Sequence, residues 1–161
     1  MIRISIIIIS FLTFLPNINA QKDVPELNKE IIKYVKSVMG TQVDRGECWD
    51  LANEALIKYK AKWDGQYKYG EKINPKKDDV YPGDIIQFEN VKVTYKIGNT
   101  TYKESMAHHT AIVYKVLDNG KFELAHQNTG FSGRKVGVSK LDLSTVVKGK
   151  MSFYRPVRSQ L

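Results

Sequence analysis

An α+β fold is predicted by the order of the elements along this 161-residue chain. Two segments with helical periodicity come first, and segments with the two-residue periodicity of half-buried strands follow them. Two turn sequences, Gly98-Asn99 and Asn119-Gly120, are typical of hairpins between neighbouring strands. Helices followed by hairpin-connected strands indicate N-terminal helices packed on an antiparallel β-sheet.

Both helices are predicted from an apolar stripe and its boundaries. The first is expected over Asp23–Gly40, with Asp23 as the cap and Pro25 in the first turn. The second follows the stretch GECWDLANEAL, so Cys48 is expected in or beside its first turn. The apolar positions that define the two stripes are Leu27, Ile31, Val35 and Val38, then Leu51, Ala52, Ala55, Leu56 and Tyr59.

The strands begin after a polar, turn-rich stretch. Lys60–Val80 lacks a clear period and is predicted to be a long loop. The first long strand follows Pro82-Gly83, and HHTAIVYKVL and KFELAHQN are the two arms of the Asn119-Gly120 hairpin. TGFSGRK is predicted to be a flexible link, and two short strands are expected at Val136–Val138 and Lys150–Tyr154.

The first 20 residues have the features of a secretory signal peptide. Arg3 precedes a short apolar run, Pro16 and Asn17 interrupt that run, and Ala20 offers a small residue for cleavage. A transmembrane anchor would need roughly 20 uninterrupted apolar residues. We therefore expect a secreted or periplasmic protein, cleaved near Ala20, with no stable membrane anchor.

Removal of this segment would leave residues 21–161, which is a suitable length for a single domain. The chain has 25 Lys and Arg against 17 Asp and Glu, and a net charge of +8. Such a charge favours anionic surfaces such as cell-wall polymers. The lysines are scattered and form no dense block, so we do not expect a nucleic-acid partner.

Cys48 is the one cysteine in the sequence, and three histidines could partner it. His109 opens one arm of the Asn119-Gly120 hairpin, and His126 lies near the end of the other. Hairpin pairing should bring these two positions together, and Asn128 would share the face of His126 because side chains alternate along a strand. A cysteine at the start of a helix laid across the sheet would complete the group.

This set of residues suits nucleophilic catalysis. A thiolate is the nucleophile, and a helix N-terminus and a histidine would lower the pKa of Cys48 below its usual ~8.5. His109 could take the thiol proton, and either His126 or Asn128 could hold its far nitrogen. Backbone amides around Cys48 could stabilise an oxyanion.

Each residue also has a purely structural interpretation. A single cysteine is often a small buried hydrophobic residue, and Trp49 could be part of the core or line a cleft. The Cys and His residues could bind zinc, although they lack the close spacing typical of such sites. His108 is expected at the surface. The sequon at Asn99 is expected to mark an exposed hairpin tip.

Three motifs together resemble the CHAP and NlpC/P60 group of papain-like cysteine hydrolases. They are GECWDLANEAL, YPGDIIQFEN and HHTAIVYKVLDNGKFELAHQN. The similarity extends from about Gly40 to Pro156. CHAP domains commonly carry Glu-Gln-Asn where this chain has His126-Gln127-Asn128, whereas a histidine in that position resembles NlpC/P60 members.

The resemblance implies a peptidoglycan amidase or endopeptidase that acts through Cys48, His109 and His126. Gln127, Asn128 and Trp49 are expected as substrate-binding or secondary polar residues. No cofactor or metal is implied. Two alternatives stay open, namely a binding module that kept the fold without the chemistry, and a papain-like protease acting on protein.

Overall fold

The computed structural model describes residues 23–159, so the predicted signal peptide lies outside the described residues. Helix α1 spans Glu26–Ser37 and helix α2 spans Asp50–Lys58. The first helix is shorter than predicted. Pro25 is its N-cap and no side chain caps it, so the expected capping role of Asp23 is wrong. Proline fixes the backbone at the helix start, and the Pro25 carbonyl accepts the first hydrogen bond, from the Lys29 amide at 3.1 Å.

Eight strands follow the two helices within the described residues, and most are antiparallel partners in one sheet. The sheet has six strands in the order β2-β7-β3-β4-β5-β6, and β1 pairs separately with β8. Their bounds are β1 Ala61–Lys62, β2 Glu71–Ile73, β3 Ile85–Ile97, β4 Thr100–Asp118, β5 Lys121–His126, β6 Gly137–Asp142, β7 Val146–Arg155 and β8 Val157–Arg158, with a short 3-10 helix at Leu143–Thr145. The predicted α+β class with helices on an antiparallel sheet is confirmed.

Both predicted hairpins are present. Strands β3 and β4 pair from Ile85↔Ile112 to Ile97↔Thr100, so Gly98-Asn99 forms the tip of a long two-stranded arm. Strands β4 and β5 pair around Asn119-Gly120.

The predicted long loop over Lys60–Val80 is wrong in part, because strands β1 and β2 lie within it. Both are edge pairings with C-terminal strands, which the local sequence does not reveal.

Two apolar clusters occupy opposite sides of the sheet. The helices and Ile85, Ile112 and Tyr154 form the first cluster. The side chains that alternate with these, including Ile86, Phe88 and Phe153, form the second. The sheet is therefore buried on both faces near its centre, which is why four consecutive residues at the start of β3, including Gln87, are all buried.

A buried carboxylate connects α1 to the sheet. Asp84 is fully buried and accepts hydrogen bonds from Asn28 Nδ2 at 2.8 Å and from Arg155 Nη2 at 3.0 Å. Burial raises the pKa of Asp84, and the Arg155 guanidinium opposes that rise. The Pro-Gly-Asp motif thus holds the helix on the strand that leads to the site.

Among residues 23–159, no helix is both long and apolar enough to cross a membrane.

Candidate active site

The segment that carries Cys48 is held by the first residue of α2. The buried Asp50 carboxylate accepts the Glu47 amide at 2.9 Å and pairs with Arg45 Nη2 at 2.8 Å. Gly46 adopts φ +81°, a conformation that side chains disfavour, and a Cβ there would lie 2.7 Å from Arg134 Cβ. Cys48 therefore lies in a tight turn immediately before the helix, two residues from its start, where the sequence places it in or beside the first turn.

Gln127 connects this segment to the end of β5. Its side chain is fully buried, and its Nε2 donates to the carbonyls of Val43 at 3.0 Å and Glu47 at 2.8 Å. Its Oε1 accepts the Val43 amide at 3.2 Å. All three bonds go to backbone, so Gln127 positions the Cys48 segment. Gln127 was expected as a substrate-binding or secondary polar residue; its enclosed amide is bonded to backbone, and a contact with substrate stays a prediction.

The Cys48 sulfur lies against strand β4. Cys48 is half-buried, and the backbone amide of Thr110, the residue that follows His109, lies near enough to the sulfur to favour the thiolate. Among the described residues, Cys48 and His109 are not hydrogen-bonded to each other. The sulfur thus lies beside the backbone of β4 next to His109, while the His109 side chain lies on the face of the second apolar cluster, with Phe88 as its cross-strand partner. Catalytic contacts often tighten only when substrate binds.

The pKa of the Cys48 thiol is raised, which corrects the expected lowering. Burial is the main cause, and the negative charge of Glu47 adds to it. The amides of Thr110, Cys48 and Trp49 oppose the rise, but they do not overcome it. Desolvation disfavours the thiolate more strongly than the helix start favours it. The resting sulfur is therefore a neutral thiol.

The two histidines expected to converge do so. His109 Nε2 lies 2.8 Å from His126 Nδ1, and both side chains are buried. His126 Nε2 in turn lies 2.9 Å from Ser139 Oγ on β6. The pairing leaves Nδ1 of His109 as the nitrogen that could exchange a proton with the thiol. The catalytic roles assigned to these residues stay predictions.

Burial also controls the charge of the histidine pair. It lowers the pKa of His109 from the usual 6.5 to about 4. Burial lowers the pKa of His126 as well, and a charge on His109 would lower it further. Both rings are neutral at pH 7, as is the thiol. The resting site therefore contains no ion pair.

Asn128 does not share the face of His126. Strand β5 ends at His126, and Asn128 is exposed with φ +59°, so the alternation of the strand is already broken. Its Nδ2 donates to Glu47 Oε2 at 2.9 Å. The suggestion that Asn128 could orient His109 is wrong.

Trp49 is half-buried, 6.2 Å from the ring of Trp63, with the Arg45 guanidinium 5.5 Å above its own ring.

Several residues of the site escaped the sequence prediction. Tyr69 is fully buried, and its hydroxyl lies 2.9 Å from Thr110 Oγ1 and 3.3 Å from Gln87 Oε1. These three residues support the part of β4 that contacts the thiol. Tyr69 comes from the stretch predicted to be a loop, and Ser139 comes from a strand with a weak periodic pattern, so the sequence around them did not indicate a place in the site.

His108 is exposed, as expected. Between Asp23 and Ser159, no three His, Cys, Asp or Glu side chains are grouped to hold a metal ion.

Acyl transfer by a cysteine would need the groups collected here, which are a thiol, an imidazole with one nitrogen paired, and the backbone amides of Cys48 and Trp49 near the sulfur. Amides in this position could stabilise an oxyanion formed beside the thiol. A cysteine before a helix, packed against a strand with a paired histidine, defines a papain-like cysteine proteinase fold.

The chain belongs to the AIM3/BBC1 cysteine proteinase-fold domain family, which matches residues 25–161. No curated protein matches the sequence. Two solved structures are similar in fold, namely Ly7917 and Ly7917 with the hydrolysis product of MDP. The first has 17% identity over 79% of this chain and a TM-score of 0.46. The second has 19% identity over 80% of this chain and a TM-score of 0.48. The aligned region spans 62% and 63% of those two chains.

The neutral thiol leads to a testable titration. We expect thiolate absorbance near 240 nm, a general thiolate band, to appear at higher pH in the folded protein than in the denatured chain. Glu47→Gln should move the folded titration downward, because it removes a negative charge near the sulfur. Glu26→Gln on α1 is the matched control and should leave the titration unchanged. A thiolate that forms at lower pH in the folded chain would contradict the burial argument.

The neutral histidine pair predicts acid lability. The folded pKa of His109 is lowered, so below pH 6.5 the unfolded chain binds the proton that the folded chain refuses. Stability should be complete above about pH 6.5 and fall toward pH 4, by on the order of 2 kcal/mol. Urea unfolding at several pH values measures this. His109→Asn should flatten the dependence and the exposed His108→Asn should not. Equal slopes in all three proteins would refute the prediction.

Proposed function

We propose that this protein is a cysteine hydrolase that cleaves amide bonds in peptidoglycan, as an amidase or endopeptidase of the CHAP and NlpC/P60 type. Cys48 is the nucleophile, His109 is the general base, and His126 orients His109. The observation that carries the proposal is the buried contact of 2.8 Å between His126 on β5 and His109 on β4, the strand that also lies beside Cys48.

The neutral resting state defines how the reaction starts. Because the thiol pKa is raised and the imidazole pKa is lowered, a preformed thiolate–imidazolium pair is disfavoured. The proton therefore moves from Sγ to Nδ1 of His109 as the sulfur attacks the amide carbon. The His109 imidazolium then gives the same proton to the leaving amine. Water hydrolyses the resulting thioester, with His109 again acting as the base.

Charge and the N-terminal sequence support the choice of substrate and location. The chain carries a net charge of +8, and anionic wall polymers attract a basic protein. The apolar leader with its small residue at position 20 favours export, which would place the enzyme beside peptidoglycan. Export of the protein and its attraction to anionic wall polymers therefore belong to this proposal.

One observation favours a second candidate function. The thiol is half-buried with a raised pKa and lacks a hydrogen bond to His109. Those properties also suit a binding module that kept the fold and lost the chemistry. A hydrolase must turn over its substrate, so the two candidates differ in whether new termini appear. A papain-like protease acting on protein would release peptides from casein rather than from the wall.

The test is digestion of purified peptidoglycan, with new amino and carboxyl termini identified by mass spectrometry. Cys48→Ala and His109→Ala should abolish cleavage. His126→Ala should lower kcat severely and leave some activity, because an orienting group does not itself accept the proton. Asn128→Ala should matter less, since Asn128 contacts Glu47.

Two results would contradict this assignment. Wild-type turnover in Cys48→Ala would exclude a thiol mechanism. Binding of peptidoglycan without new termini in the wild type would favour the binding module. Circular dichroism of each variant shows whether a loss of activity reflects a loss of fold.

A further inference from the structure

We propose that Ser139 sets the tautomer of both buried histidines by accepting the Nε2 proton of His126. Ser139 is therefore a positioning residue, and its importance for turnover rests on the proposed function. The proposal starts from one continuous chain of contacts. Ser139 Oγ is 2.9 Å from His126 Nε2, and His126 Nδ1 is 2.8 Å from His109 Nε2.

Only two proton arrangements satisfy this chain. Each neutral imidazole carries one proton, and each of the two contacts needs one. In the first arrangement His109 Nε2–H donates to His126, and His126 Nε2–H donates to Ser139. In the second Ser139 donates to His126 Nε2, and His126 Nδ1–H donates to His109. The second arrangement puts the His109 proton on Nδ1. That nitrogen then has no free lone pair and cannot accept the proton of Cys48.

The productive arrangement therefore needs an acceptor at position 139. A serine hydroxyl can fill that role, because Ser139 is only half-buried and its own proton can be given to water. Without a hydroxyl there, the first arrangement would leave the His126 Nε2–H buried without an acceptor. An orphaned buried N–H is costlier than an orphaned lone pair. Loss of Ser139 should therefore move both histidines to their Nδ1–H tautomers.

Nitrogen-15 NMR of the histidine rings distinguishes the two tautomers directly. In the wild type we expect Nε2 protonated and Nδ1 unprotonated in His109 and His126. Ser139→Ala should reverse both, and Ser139→Thr should restore the wild-type spectrum because it keeps the hydroxyl. Ser105→Ala on the β3–β4 arm is the matched control and should change neither ring. Nδ1–H tautomers in the wild type would overturn the proposal, as would an unchanged spectrum in Ser139→Ala.

Kinetics then connects the tautomer to turnover. Ser139→Ala should lower kcat roughly tenfold with KM unchanged, because a minor share of the enzyme keeps the productive base. The spectrum does not depend on any substrate. A tautomer change in a protein that leaves peptidoglycan intact would therefore disprove the proposed function alone. Full kcat in Ser139→Ala despite a reversed spectrum would overturn the role of Ser139 in turnover.

An independent observation concerns the arm formed by β3 and β4 beyond Asn90. Val91, Val93, Tyr95 and Met106 pack with the second apolar cluster, so the alternating residues point to the opposite side. That opposite side has lysines and hydroxyl groups alone, which are Lys92, Lys96, Lys103, Thr94, Thr101 and Ser105, with Lys148 of β7 paired beside Lys92. We call these residues the lysine face.

The geometry of the lysine face suits an extended polyanion. The pairs Lys92↔Ser105, Thr94↔Lys103 and Lys96↔Thr101 place one lysine at each successive level. Levels two residues apart on a strand are separated by about 7 Å. The four lysines are exposed, and none forms an ion pair with another residue of the described chain. Three of the four lysines, Lys92, Lys103 and Lys96, thus alternate between β3 and β4 at successive levels, and Lys148 lies beside the first of them.

We infer that the lysine face binds a linear polyol-phosphate chain, a wall polymer that would bring the proposed hydrolase to its substrate. Charge complementarity carries this choice, and the absence of aromatic side chains on that face argues against nucleic acid, which binds by stacking on such rings. None of the residues that define the face is apolar, and apolar groups are what hold a protein stably in a lipid surface.

A synthetic glycerol-phosphate oligomer of about ten repeats tests this surface by calorimetry at several salt concentrations. The triple variant Lys92→Gln, Lys96→Gln, Lys103→Gln should lose roughly tenfold in affinity and about two units of salt slope. The control with the same change in charge is the triple variant Lys36→Gln, Lys58→Gln, Lys77→Gln. It should keep most of the wild-type affinity and most of the wild-type salt slope. Equal losses in the two variants would overturn the proposal. So would equal or tighter wild-type binding to a single-stranded oligonucleotide of equal charge or to anionic vesicles.

Discussion

The Gln127 amide is the constraint on which the geometry of the site depends. It follows His126 directly, and its three hydrogen bonds end on the backbone of Val43 and Glu47. One buried side chain thus fixes the distance between the end of β5 and the segment before α2. The thiol comes from that segment and the histidine pair comes from the sheet. Their relative position is therefore set by hydrogen bonds to backbone, which tolerate changes in neighbouring side chains.

Burial gives the site its second property, which is neutrality. The same enclosure raises the pKa of the Cys48 thiol and lowers the pKa of His109, so each group resists the charge that an ion pair would need. Desolvation outweighs the helix start because α2 begins only at Asp50, beyond the sulfur, and the Asp50 carboxylate itself accepts the Glu47 amide.

Much of the architecture was predictable because its signals are local. The hairpins at Gly98-Asn99 and Asn119-Gly120 depend on turn chemistry, and the meeting of His109 with His126 follows from the second hairpin. Asn128 was misplaced because the alternation rule was continued past the end of β5 into a residue with positive φ. Tyr69 lies just before β2, which pairs with the distant β7, and Ser139 lies on β6, which pairs with β5 beyond the irregular segment 127–136. No pattern in the surrounding residues reports those pairings.

The contact between His126 and Ser139 makes the site depend on the local opening of strand β6. Strand β6 is the last in the order β2-β7-β3-β4-β5-β6, so it is an edge strand with a partner on one side alone. Edge strands open at lower free energy than central ones, in excursions far smaller than global unfolding. Each such excursion would carry Ser139 away from the ring it contacts while the apolar clusters stayed intact. The tautomers of His109 and His126 would thus persist only as long as strand β6 stays closed, which is shorter than the time for which the whole domain stays folded.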